Sequence, residues 1–168
     1  MRLALLPGGL ASMTPPDTHL RHDWAALAAF AAQIRDDRAR RDPGDVAKGT
    51  YTPEQATNRA RLASALADIW AGVAARDDLP ATELDWRARY GAWPHELTRE
   101  TAAIAAAATR IAAASPDHPA RIRTANLAIC LAWWHALHRP EWAAWPRIAA
   151  IHAVNQQARA TRPQRAAA

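Results

Sequence analysis

The chain has one cysteine, one lysine, one phenylalanine and two tyrosines in 168 residues, and each scarcity removes a class of protein. A lone Cys130, inside an apolar run, has no partner for an intramolecular disulfide. That excludes a disulfide-stapled scaffold and fits a reducing compartment with a buried thiol. With β-branched residues and Phe/Tyr scarce, no stretch of four to eight residues alternates apolar and polar, which argues against an all-β or doubly wound α/β fold. The longest apolar stretch, Leu127 to Leu137, is about half the length of a membrane span. The N-terminal apolar region stops at Pro7-Gly8-Gly9, too early for a secretory signal. That Gly pair also lacks a following Lys and a preceding strand, so it is no phosphate loop. The expectation is a soluble, cytoplasmic chain with no membrane association, starting at Met1 or at Met13.

What is abundant is alanine, at 45 residues, with eight Trp and a modest stock of Leu and Ile. Alanine is the strongest helix former, and a core made of it requires helices that approach closely. The expected fold is all-α: a helical bundle with a long N-terminal antiparallel hairpin and a C-terminal three-helix group around a buried helix at 119–138. The expected organisation is a loosely held N-terminus over 1–16, a hairpin over 17–78, a bundle over 79–158 packed on it, and a basic flexible tail over 159–168.

Local signals place the elements. The first helix is expected from Asp17-Thr18, its apolar stripe formed by Leu20, Trp24, Leu27, Ala31 and Ile34, and its end at Asp42-Pro43-Gly44. Thr52, Pro53 and Gln55 supply a capping residue, a first-turn proline and the reciprocal capping partner for a second helix over 53–76. A short helix follows to Tyr90, with Trp86, Tyr90 and Trp93 plugging the junction. Trp93-Pro94 opens a fourth helix, striped by Leu97, Thr101, Ile104, Ala108 and Ile111. In the fifth helix Ile122, Ile129, Cys130, Trp133 and Leu137 form one face and Leu127, Leu131 and Trp134 another, which predicts packing on both sides. Pro146 is expected to open a last helix with Ile148, Ile151, His152 and Asn155 on one side.

Between about residues 28 and 75 the order of features is a charged helix end, an X-Pro turn, Val46 to Gly49, then Thr-Pro-Glu-Gln-Ala and a second helix. This resembles a helical-hairpin segment of uncharacterised phage and prophage proteins, although Asp42 stands where an aromatic usually precedes the proline. The resemblance implies a phage-type accessory protein and assigns no residue a role.

Catalytic constellations are weak. His135 and His138, with Cys130 and His152, are the nearest approach to a metal set, but Cys130 points elsewhere on the helix wheel and only Glu141 lies near enough to complete it. Asp36-Asp37 and Asp77-Asp78 lie among arginines at helix ends, and adjacent helical residues do not share a face. No metal, cofactor or catalytic residue is assigned, and a non-enzymatic role is expected.

Charge carries more information. Residues 119–168 hold seven basic side chains and one acidic, more than the whole net charge of +5. Arg121, Arg123, Arg139, Arg147, Arg159, Arg162 and Arg165 share this segment with Trp133, Trp134, Trp142 and Trp145. Arginine grips phosphate by paired hydrogen bonds, and an exposed indole stacks on an unpaired base. The expected partner is therefore DNA or RNA, bound by these seven arginines with Trp142 and Trp145. The alternative is a protein–protein module: an inhibitor or adaptor of a host or phage nucleoprotein complex, including a host-defence complex, or a helical structural subunit. Large aromatics and Arg are the usual anchors of such interfaces.

Overall fold

The computed structural model describes residues 19–80, 82–138, 145–149 and 151, with backbone alone at 137–138 and 145–146. The architecture is all-α. A 3₁₀ turn, His19–His22, leads into α1 (Trp24–Ala47), α2 (Pro53–Ala75), α3 (Glu83–Tyr90), α4 (Pro94–Ala113) and α5 (Pro119–His135). Two short segments, β1 (Leu137–His138) and β2 (Trp145–Pro146), pair antiparallel with Leu137 opposite Pro146. Short loops make α1–α2 and α4–α5 two antiparallel hairpins, with α3 between them.

The helix starts follow their capping chemistry. Thr52 Oγ1 accepts from the Gln55 amide at 3.2 Å while the Gln55 side chain accepts from the Thr52 amide at 2.8 Å. Thr52→Ala is expected to cost about 1 kcal/mol, read as a lower urea midpoint at unchanged m-value. Thr82 caps α3, and Gly91 ends it in the left-handed conformation at φ 70°, where a side chain would be strained.

The first helix differs from expectation at both ends. Asp23, not Asp17 or Thr18, caps α1, its carboxylate accepting from the Ala26 amide at 3.0 Å; residues 17 and 18 lie outside the described residues. At the far end α1 runs through Pro43 to Ala47. Proline cannot donate to the carbonyl of Ala39, a loss the sequence reads as a stop. Here Asp42 is buried and accepts from Arg59 Nε at 3.0 Å and Nη2 at 3.3 Å. That fork holds the residue before Pro43 in the helix, and the exposed proline ring lies on the outer side. Burial opposes the Arg59 charge, but the Asp42 carboxylate outweighs it and raises the guanidinium pKa.

One core joins both hairpins: Leu27 and Phe30 of α1, Leu66 and Trp70 of α2, Leu97 of α4 and Leu131 of α5 are all buried. Trp86 is fully buried, its indole donating to the Pro80 carbonyl at 2.8 Å, with Tyr90 packed edge-on against it. A second tie is polar. Arg38 of α1, 8% exposed, donates to the Arg59 carbonyl of α2 at 2.8 Å and pairs with Glu100 of α4.

Burial fades along the second hairpin. Leu97 and Thr101 are fully buried, whereas Ile111 at the end of α4 is 54% exposed and Ile122 at the start of α5 is 41% exposed. The expected packing of α5 on both sides is also corrected. Leu127, Leu131 and Trp134 are buried with Ala128, Cys130 and His135, but Ile122, Ile129 and Trp133 remain at least partly exposed. The wheel explains this, because Ile122, Ile129 and Trp133 lie on one stripe that is only partly covered, while Cys130 turns inward and Leu137 leaves the helix for β1. Beyond β2, Ile148 and Ile151 are buried in the core. Pro146 lies in the strand pair, and the chain turns at Arg147 into helix at Ile148, Ala149 and Ile151, so the expected helix begins just after the proline. His152 and Asn155 lie outside the described residues, as do the ranges 1–16 and 159–168.

Candidate nucleic-acid interface

Among the described residues, five arginines are engaged in ion pairs. They all lie between residues 35 and 100: Arg35 with Asp36, Arg38 with Glu100, Arg40 with Asp37, Arg59 with Asp42, and Arg61 with Glu96. The Arg61 bonds hold the Glu96 carboxyl below the usual carboxylate range. A shallow groove at the start of α2, lined by Pro53, Glu54, Thr57, Asn58 and Arg61, is therefore already neutralised on its basic side.

A different set lies along α5 and at its end. Pro119 occupies the first turn, and Arg121 and Arg123 stand exposed on it. Arg121 donates to Ser115 Oγ across the loop. Neither has a carboxylate partner among the described residues.

At the other end of α5, Ala136 leaves the helix in an extended conformation and its carbonyl accepts from the Arg147 amide at 3.2 Å. That bond places Arg147 beside the last turn of α5. Its guanidinium donates to the Trp133 carbonyl at 3.2 Å and lies 5.0 Å from the Trp133 ring centroid. Partial burial lowers the Arg147 pKa, with no carboxylate partner among the described residues to oppose it.

The same indole meets a second arginine. Arg21 of the 3₁₀ turn lies 5.3 Å from the Trp133 centroid. Its position is fixed by its carbonyl, which accepts from Trp134 Nε1 at 2.9 Å, and Trp134 packs edge-on against Trp133 at 4.6 Å.

Arg21 and Trp133 were not among the residues singled out for binding, and the sequence carries no spacing signal for them. Arg21 is remote from the basic segment and meets it only because the 3₁₀ turn docks on α5. Of the residues singled out, Arg121 and Arg123 stand at one end of α5 and Arg147 at the other. Twelve residues separate Arg121 from Trp133, about 18 Å of helix, so the arginines form two basic spots rather than one patch. Arg139, Trp142, Arg159, Arg162 and Arg165 lie outside the described residues, and Trp145 is described in backbone only.

Of the histidine and cysteine candidates, His135 and Cys130 are occupied by packing, while His138 is described in backbone only and His152 lies outside the described residues. His135 is fully buried, and its Nε2 accepts from Trp70 Nε1 at 3.0 Å. Burial lowers its pKa to about 3, so the ring is neutral. A helix C-terminus favours imidazolium, but full desolvation outweighs that pull here. Burial pushes the Cys130 thiol up to about 11, only partly opposed by Arg21, leaving it a poor nucleophile and ligand. Among the described residues, no three His, Cys, Asp or Glu side chains converge to hold a metal, and no helix is long and apolar enough to cross a membrane.

Comparison of the chain with family models, curated proteins and solved structures gives no match.

Proposed function

We propose that this is a non-enzymatic, phage-type accessory protein, acting in the cytoplasm, that binds nucleic acid through its basic, Trp-containing C-terminal third. One observation carries the reading. Arg121, Arg123 and Arg147 have no carboxylate partner among the described residues and stand in a segment with a single acidic residue, whereas the unpaired arginines between residues 41 and 110 share theirs with many carboxylates. Positive charge left uncancelled along one helix attracts a polyanion. The phage-type assignment rests on the resemblance of residues 28–75 to phage and prophage hairpins.

The test is a fluorescence-anisotropy titration of nuclease-treated protein against labelled single- and double-stranded DNA and RNA, at about 50 and about 200 mM salt. Three phosphate contacts imply a roughly 20- to 40-fold loss of affinity between the two salts. Changing Arg147, Arg159, Arg162 and Arg165 together to Ala is expected to weaken binding and flatten the salt dependence. An absence of binding at the lower salt overturns the proposal.

Exposed Ile111 and Ile122 at the free end of the α4–α5 hairpin favour one second reading, a protein-docking module. It predicts that Ile111→Glu abolishes capture of a protein partner while leaving oligonucleotide affinity unchanged.

A further inference from the structure

Three elements far apart in sequence converge on Trp133: the 3₁₀ turn through Arg21, α5 itself, and the residue after β2 through Arg147. Both arginines are anchored by backbone bonds to the end of α5, Arg21 through its carbonyl to Trp134 and Arg147 through its amide to Ala136. Stacking on an indole orients a guanidinium while leaving its N–H edge open. Of the five N–H donors each guanidinium carries, Arg21 commits Nε to His22 and Arg147 one terminal nitrogen to the Trp133 carbonyl. Among the described residues no carboxylate meets either group. Asp23, the nearest in sequence to Arg21, caps α1 instead.

Two oriented cations against one indole, each with most of its donors unspent, match the chemistry of a phosphate group. We propose that Arg21 and Arg147, held on Trp133, form a phosphate subsite at the C-terminal end of α5, occupied by a backbone phosphate of a bound nucleic-acid strand. This rests on the nucleic-acid reading above and adds to it a residue from the opposite end of the chain. The lowered Arg147 pKa fits the assignment, since a bound anion would restore what partial burial costs that cation.

The test has two arms. In the first, oligonucleotide binding is measured across a salt series for the full chain, Arg21→Gln, Arg147→Gln and, as control, Arg40→Gln, whose charge is already paired with Asp37. Each subsite variant is expected to bind about three- to tenfold more weakly at about 50 mM salt. Its log–log salt slope should be shallower by roughly 0.7–0.9, the value of one phosphate contact, while the control is unchanged. If a Gln variant melts early, Arg21→Lys and Arg147→Lys replace it: the slope is retained and affinity falls several-fold, because an ammonium keeps the charge without the planar fork. In the second arm, the Arg21 and Arg147 Nε–H signals of ¹⁵N-labelled unaltered protein are followed by NMR during titration with inorganic pyrophosphate, and saturable shifts of both are expected.

Oligonucleotide binding whose slope is unchanged in both subsite variants overturns the subsite and leaves the nucleic-acid reading standing. Saturable pyrophosphate shifts without oligonucleotide binding keep the phosphate subsite and overturn nucleic acid as its source. No response in either arm overturns both.

Discussion

Below about pH 6.5 the protein is expected to lose stability at up to about 1.4 kcal/mol per pH unit through His135 alone. The ring is fully buried, Trp70 donates to its Nε2, and its Nδ1 has no partner among the described residues. A proton on Nε2 would have to displace the Trp70 bond and place a charge in the core. Burial therefore lowers the folded pKa to about 3, against 6.5 for an ordinary imidazole. For a base with a lowered folded pKa, the unfolded chain binds the proton first. The stabilisation is thus complete above pH 6.5 and is lost as pH falls from there towards 3. Urea unfolding at pH 7.5, 6.5 and 5.5 measures the slope, in a window above the carboxylate range. His135→Gln can still accept from Trp70 and cannot titrate, so its stability should be flatter across that window. An equal slope in the variant would show that His135 is not the group responsible. At neutral pH, Trp70→Phe is expected to cost about 1–3 kcal/mol by leaving the Nε2 lone pair buried and unsatisfied.

How much of this was legible in the sequence depended on whether the deciding interaction was local. The capping box at Thr52, the Trp93-Pro94 helix start and the Gly91 stop are interactions within a few residues, and the sequence places them correctly. The end of α1 is different. Pro43 is a strong local stop signal, and it is overridden by Arg59 from the neighbouring helix gripping Asp42. The two apolar faces of α5 were visible, but which one is packed depends on where α1 and α2 lie. The charge asymmetry towards the C-terminus was equally plain, and it marks Arg147. It does not mark Arg21, which reaches Trp133 only through tertiary docking. The sequence offers His135 only as part of a weak metal set, because its burial is set by Trp70, 65 residues earlier in the chain.

Glu100→Ala is expected to destabilise the protein by about 3 kcal/mol, towards the lower end for breaking a buried ion pair. For a chain of this length that corresponds to a fall in Tm of roughly 6–12 °C. Arg38 is the reason: its side chain is only 9% exposed, and Glu100, at 17%, is its carboxylate partner. With Glu100 removed, the cation keeps only the Arg59 carbonyl among the described residues, and water reaches it poorly. The cost should come mainly from the stranded charge rather than from the net value of the pair. Removing both charges with residues of similar volume, Arg38→Met with Glu100→Leu, is therefore expected to return most of the stability. A thermal-melt double-mutant cycle checks this. A double variant as damaged as the sum of its parts would mean that the two side chains are uncoupled and that no stranded charge explains the single-variant cost. A Glu100→Ala cost below about 1 kcal/mol would mean that the site is solvated like an exposed pair. The pair also bears on the two basic ends of α5. Arg38 and Arg59 link α1 and α2 to α4, and α4 is the helix against which α5 packs. The double variant should therefore keep its oligonucleotide affinity if shape alone sets the spacing of those two basic ends, because it retains every arginine of the proposed interface.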